Sequence, residues 1–436
     1  MRNIALISEH ASPLARAGSV DSGGQNVYVA HVARQLAAQG HWVDVFTRKD
    51  DPQLPEVLYW HPRVRVIHVP AGPARHVPKE QMLPFMDAFG RFMVRFCQRQ
   101  AQTYDVVHAN FFMSGMAGLH VSRVLDVPLV ITFHALGRVR RQHQREADLF
   151  PEARFDIEEE LVRCADRVIA ECPQDHSDLV RLYGADPGRI DIVPCGFDAE
   201  ELAPMDRSRA RRTLGWKPNA FSILQLGRMV PRKGIDNVIR ATGELRRRHG
   251  IAAELYVVGG NAVVPEEDDS PELARLRGVA AASDVSDLVH FVGRRERHEL
   301  PLFYGATDVF VTTPWYEPFG ITPVEAMACA RPVVGADVGG IRYTVEHEKT
   351  GFLVPPEDPA ALAASLARLA RDPAMGWRMG NAGLRRARRM FTWANVAREL
   401  ARVYDETARV PAVSMSQAFN LSSARLSVIA GHKEII

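Results

Sequence analysis

From residue 3 onward, short apolar runs alternate with stretches of helical spacing, and near residue 220 the alternation begins a second time. The first series of strands reads NIALIS, WVDVFT, VRVIHV, DVVHAN, PLVITFH, RVIAEC and IDIVP; the second reads FSILQLG, AELYVVGG, LVHFVG, DVFVTT, PVVGAD and GFLVP. Strands that alternate with helices build parallel sheets with crossover helices. The helical stretch GGQNVYVAHVARQLAAQG ends on Gly40, a C-cap candidate. The chain's 436 residues are too many for one core, so two domains are expected. The fold class is therefore α/β, with two doubly wound, Rossmann-like domains. The stretch CGFDAEELAPMDRSRARR reads as the linker and puts the domains at 1–200 and 201–390. A helix over 391–410 is expected to pack back on the first domain, and residues 411–436 read as a loosely held tail.

Basic and acidic residues nearly cancel, 54 against 52, which argues against a nucleic-acid partner. The N-terminal apolar run is too short for a signal peptide or membrane span and reads as a buried strand. Five scattered cysteines with no paired-ligand spacing favour reduced thiols in the cytoplasm and argue against zinc. The basic stretch GLRRARRMF reads as a solvated helix face, with peripheral lipid contact as the alternative.

In doubly wound sheets ligands sit beyond the carboxyl ends of the strands, so the loops there carry the chemistry. In SVDSGGQNVYV, Gly23 and Gly24 let backbone approach a ligand and offer a helix start to an anion; a tight turn without a ligand is the other reading. In LGRMVPRKGID, Arg228 and Lys233 could neutralise a diphosphate, with Gly227 and Gly234 beside them; the alternative is a solvated basic loop. In YEPFGITPVEAMA, Thr322 reads as an N-cap, Pro323 as the first helical position and Glu325 as the end of a capping box. That leaves Glu317 unexplained, unless the two glutamates reach different parts of one ligand. Neither a G-x-G-x-x-G nor a P-loop pattern supports a dinucleotide or Walker-type site.

Taken together, EPFGITPVE resembles the E-x7-E motif of retaining glycosyltransferases of the GT-B fold, family 4. GRMVPRKG is similar to that family's diphosphate loop, and SGGQNVYV and TFHALG to its N-domain motifs. The resemblance runs from residue 1 to about 405. It implies a nucleotide-sugar donor, commonly a UDP-sugar, held mainly by the second domain. By resemblance, Glu317 contacts donor-sugar hydroxyls, Glu325 the ribose, and Arg228 and Lys233 the diphosphate, with Gly227 beside them. Phe319 is a further donor-side residue, the amides near Gly320, Ile321 and Thr322 touch the phosphate, and Val292, Gly293 and Arg294 cover the base. His134 sits under the donor sugar. Catalytic roles fall to His134, Arg228, Lys233 and Glu317, with no cofactor and no catalytic metal.

The acceptor side comprises Gly23, Gly24, Asn26, Lys79 and Arg154. HASPLARAGSVDSGGQNVYV is similar to the mycothiol-pathway transferases, whose acceptor is inositol phosphate. GGQNVYV and DVFTRKDDP also look like bacterial sucrose-phosphate synthases, whose acceptor is fructose 6-phosphate. Lys79 and Arg154 fall where the first group holds the acceptor's phosphate, on what read as loops, but Phe111 and Ala135 replace that group's tyrosine and threonine. Arg138, Arg140 and Arg141 are further anion candidates. The alternatives are a nucleotide-sugar isomerase, a catalytically silent binding protein, or a transferase to a lipid or polysaccharide.

Overall fold

The structure, a computed structural model, describes residues 1–15, 23–100, 103–265 and 270–409. The first sheet contains Asn3–Ile7 (β1), Trp42–Arg48 (β2), Val57–His61 (β3), Val64–Val69 (β4), Val106–Asn110 (β5), Leu129–Thr132 (β6), Arg167–Ala170 (β7) and Ile190–Ile192 (β8). The second contains Phe221–Leu226 (β9), Ala253–Val258 (β10), Val289–Gly293 (β11), Val309–Thr312 (β12), Val333–Ala336 (β13) and Gly351–Val354 (β14). Their orders are β3-β4-β2-β1-β5-β6-β7-β8 and β11-β10-β9-β12-β13-β14.

Every pairing is parallel except β3 with β4. The central strands are apolar on both faces because helices cover both; β10 is buried at each of its positions. The edge strand β3 was not among the expected strands. Its sequence, VLYWH, is half-buried or exposed at every position, as suits a short edge hairpin.

One local reading changes. The end of the expected linker is helical over Arg207–Leu214, because the Asp206 carboxylate accepts the Arg209 N–H at 2.7 Å and caps it. Arg211 then anchors this helix to the second domain, donating to the Ala306 carbonyl at 2.8 Å and to Asp308 at 2.6 Å. The helix Trp393–Arg409 lies against the first domain. Trp393 packs on Tyr28 and His31, and the Tyr404 hydroxyl meets His108 Nδ1 at 2.7 Å. The chain crosses back beside the linker, where Phe197 and Thr392 form a lone β-bridge. The tail expected at 411–436 lies outside the described residues.

Candidate active site in the interdomain cleft

The wall contributed by the second domain is built from loops leaving β9 and β12. After β9 the chain makes a tight turn, Pro231–Lys233, closed by Gly234 at φ 64°. A side chain at 234 would collide with the Thr313 carbonyl, 1.9 Å from an added Cβ, so glycine is required for this close approach. The loop after β12 is pinned likewise: Gly340 N–H donates to the Glu317 carbonyl at 3.0 Å, and a Cβ on Gly339 would lie 2.1 Å from that oxygen. The two pinned loops bring the Lys233 ammonium onto the Glu317 carboxylate as an ion pair. Burial pushes the Lys233 ammonium below its usual range; Glu317 opposes this, and Arg232 and Arg228 add to it. Burial also pushes the Glu317 carboxyl upward, but Lys233 and Arg232 outweigh it and hold the group below its usual range. An arriving anion beside Lys233 would stabilise the ammonium against its burial, which suits a phosphate-bearing ligand.

The facing wall comes from the first domain. Gly23 caps the helix Gly24–Ala38, and a Cβ on Gly24 would lie 3.4 Å from the Ile321 side chain across the cleft. His134, just beyond β6, holds a left-handed backbone at φ 58°, which is strained for a residue with a Cβ. Its ring is fixed from both sides: Nδ1 meets Glu171 Oε1 at 2.7 Å and Nε2 meets Asn110 Oδ1 at 3.0 Å. Glu171 is buried and also accepts from the Cys195 thiol at 3.2 Å.

One pocket of about 330 Å³ joins the two walls, within the range of small-molecule sites. The domains touch around it: His143 stacks on Tyr316 with centroids 5.2 Å apart, and the Cys172 thiol meets the Pro318 carbonyl at 3.3 Å. From the first domain the lining also includes His10, Lys79, Phe111, Arg140 and Arg154. Arg154 is 1% exposed and stacks against Phe111, Phe112 and Phe150. Its Nε donates to Glu158 at 2.7 Å, while its Nη1 is buried without a hydrogen-bond partner.

Residues 22–201 match the family model described as Glycosyltransferase Family 4, and residues 206–386 match Glycosyl transferases group 1. The D-inositol 3-phosphate glycosyltransferase of Acidothermus cellulolyticus is 37% identical over 92% of this chain and 90% of its own length. A second such enzyme, from Catenulispora acidiphila, is 36% identical over 93% and 95%. Among solved structures, the sucrose-phosphate synthase of Thermosynechococcus elongatus superposes with a TM-score of 0.83 at 33% identity, over 93% of this chain and 99% of that one. The Anabaena protein HepE, solved with UDP and glucose, shares the fold at a TM-score of 0.70 and 21% identity, over 93% and 100%. The chain belongs to the group 1 glycosyltransferases. Its two Rossmann-like domains form the GT-B fold.

In this glycosyltransferase the pocket gathers Gly23, Gly24, Asn26, Lys79, His134, Arg154, Gly227, Arg228, Lys233, Glu317, Phe319, Gly320, Ile321 and Thr322. It does not gather Val292, Gly293, Arg294 or Glu325. The first three stand at and just beyond the carboxyl end of β11, where Arg294 N–H is held by the Ala262 carbonyl at 2.7 Å. Asn26 lines the pocket with its amide already engaged: Oδ1 accepts from Gly23 N–H and Nδ2 donates to the Ser12 carbonyl, each at 3.0 Å.

The expected capping box is absent. The helix runs Ile321–Ala328 from Gly320 at φ 89°, no side chain caps it, and Thr322 is the second helical residue rather than the N-cap. Glu325 instead accepts from Arg297 at 3.0 Å and from the Tyr304 hydroxyl at 2.8 Å. Arg297 pairs with Glu201 of the linker too, so this carboxylate is tied to the interdomain connection. Arg154 is not on a loop but on the helix Ala153–Cys164, where Glu158 stands one turn on. Arg138, Arg140 and Arg141 are ion-paired, with Glu159, Asp148, and Asp148 together with Glu152 respectively.

Among the described residues the one set spaced to hold a metal ion is His31, Asp198 and Glu201. It lies at the linker, outside the pocket, and Arg297 already occupies Glu201. Glu171, Asn110, Tyr304 and Arg297 were not anticipated; the only sequence signal for Glu171 and Asn110 was their place at strand ends. Glu171→Gln is expected to loosen the His134 ring and lower kcat about 10- to 100-fold, the cost of one charge-assisted hydrogen bond. Donor and acceptor KM should stay within a factor of about three, read from steady-state rates. An unchanged kcat would show that Glu171 does not orient the ring.

Proposed function

We propose that this glycosyltransferase moves a hexosyl group from a UDP-sugar to a hydroxyl of a phosphorylated acceptor, a sugar phosphate or inositol phosphate, with retention at the anomeric carbon. The reading rests on one observation: Lys233 and Glu317 of one domain and His134 of the other share a single pocket. Lys233 and Arg228 take the diphosphate and stabilise the charge that develops as it departs. Glu317 exchanges its ion pair for the donor's hydroxyls, and His134 lies beneath the sugar. The protein supplies orientation and charge rather than a covalent nucleophile. These cations provide the positive potential at the leaving group, so we propose a reaction without a catalytic metal. Lys79 and the unpartnered Arg154 Nη1 would hold the acceptor's anionic group, and the enzymes named for D-inositol 3-phosphate and sucrose phosphate support that class. Five free thiols suit the cytoplasm.

A mass-spectrometric screen of UDP-, GDP- and ADP-sugars against sugar phosphates and inositol phosphates tests this reading. Turnover is expected with a UDP-sugar, on the phosphorylated acceptor but not its dephosphorylated form, and with an unchanged rate in EDTA. Turnover only on unphosphorylated acceptors would sink the acceptor assignment. Complete loss in EDTA, restored by a divalent cation, would sink the metal-free one.

A further inference from the structure

The helices Gly24–Ala38 and Ile321–Ala328 belong to different domains, yet both begin at the pocket. There a Cβ on Gly24 would lie 3.4 Å from the Ile321 side chain. The same two helices meet again at the linker. One turn along the second, Glu325 accepts from Arg297 Nη1 at 3.0 Å, and Arg297 Nε donates to Glu201. Two turns along the first, His31 Nδ1 stands 3.6 Å from Asp198 Oδ2. Asp198 and Glu201 share one turn of the linker, in which Leu202 N–H donates to the Asp198 carbonyl at 3.0 Å and Glu200 N–H to Asp198 Oδ1 at 2.9 Å. The returning chain joins them: His31 stacks on Trp393 at 5.3 Å, and Trp393 N–H donates to the Phe197 carbonyl at 3.2 Å. A single linker turn therefore touches both of the helices whose starts face each other across the pocket. The bridge Glu201–Arg297–Glu325 is its charged half. A guanidinium can give separate nitrogens to two carboxylates, as Arg297 does here.

We infer that Arg297 is a positioning residue for the transfer: by binding Glu201 and Glu325 together it fixes the helix Ile321–Ala328 to the linker turn, and so sets the separation of the two pocket walls. Lys233 and Glu317 stand on one wall and His134 on the other, so that separation decides whether donor and acceptor reach each other. The role in transfer rests on the proposed function. A local staple within the second domain would explain the Arg297–Glu325 pair. It would not explain why the same arginine reaches a linker turn that also faces His31, on the pocket helix of the other domain.

The test compares the full chain with Glu201→Ala and Arg297→Lys by small-angle scattering with and without UDP, by UDP calorimetry, and by steady-state rates on whichever acceptor turns over. Glu201→Ala removes the linker end of the bridge and leaves Glu325 its charge partner. Arg297→Lys keeps a cation beside Glu325 but loses the fork that spans both carboxylates. Each variant is expected to show a larger radius of gyration than wild type, with and without UDP. Each should lower kcat about 3- to 10-fold, the bias that a partly exposed ion pair can exert between two arrangements. UDP affinity should stay within about twofold, because the second domain holds the nucleotide. The double variant should be no worse than either single one, since both break the same bridge. Should Arg297→Lys not fold, Glu201→Ala against wild type decides. Wild-type scattering and kcat in the variants would overturn the assignment. So would kcat and UDP affinity falling together with an unchanged profile, or losses that multiply in the double variant. Wild type that binds no UDP removes the functional reading instead, and the ligand-free scattering comparison still decides whether Arg297 sets the separation of the walls.

Discussion

Lys233→Ala is expected to lower kcat/KM for the donor by about 10- to 150-fold, the loss of one charge-assisted contact to the diphosphate. Two effects act together. The variant removes a cation from the anion site, and it leaves Glu317 in a place where its carboxylate is only 17% exposed and has lost its partner. Calorimetry with UDP should therefore show weaker binding, even though no sugar is present to engage Glu317. Lys233→Arg should recover only part of the loss, because a planar fork cannot occupy the point position of the ammonium against Glu317. Arg228→Ala should weaken UDP in the same direction. If both alanine variants bound UDP and turned over as wild type does, the diphosphate would have to lie elsewhere.

Arg154→Ala is expected to act first on the fold. The guanidinium is buried among three aromatic rings and neutralises Glu158, whose carboxylate is fully buried. Removing one partner of a buried pair typically costs about 3–5 kcal/mol. In a domain of roughly 200 residues that corresponds to a fall of about 6–20 °C in Tm. Glu158 keeps the Gly137 N–H and the Tyr183 hydroxyl, but neither carries charge. Arg154→Ala combined with Glu158→Gln should therefore be more stable than Arg154→Ala alone, measured by thermal denaturation at fixed pH. Lys79→Ala, on a half-buried turn, should leave Tm unchanged and raise acceptor KM. A wild-type Tm in Arg154→Ala would mean that Glu158 finds other compensation. The two variants are therefore expected to read out differently, because Arg154 also holds its own helix.

The order of strands and helices was legible because a parallel sheet needs an apolar run for each buried strand and a helix for each crossover. Thirteen of the strands follow from those runs; β3 does not, since an edge strand with one covered face leaves a weaker pattern. The loops bearing Gly24, His134, Lys233 and Glu317 were legible as well, because in such sheets the carboxyl ends of the strands face the ligand.

What the sequence could not express is which polar groups meet across that edge. Glu171 and His134 are 37 residues apart, Lys233 and Glu317 are 84, and Arg297 and Glu325 are 28; each pair meets through the packing of separate elements. A local motif suggested that Glu325 closes a capping box, yet the left-handed turn at Gly320 starts the helix one residue before Thr322, and Arg297 and Tyr304 claim the carboxylate. Likewise Arg154 reads as a free cation in sequence and becomes a buried one only because a helix sets Glu158 one turn away and three phenylalanines close around it. The sequence by itself determined the two sheets and the edge at which chemistry can occur. The tertiary structure alone decided the charge partners, because a side chain's burial and its nearest opposite charge depend on every element packed around it.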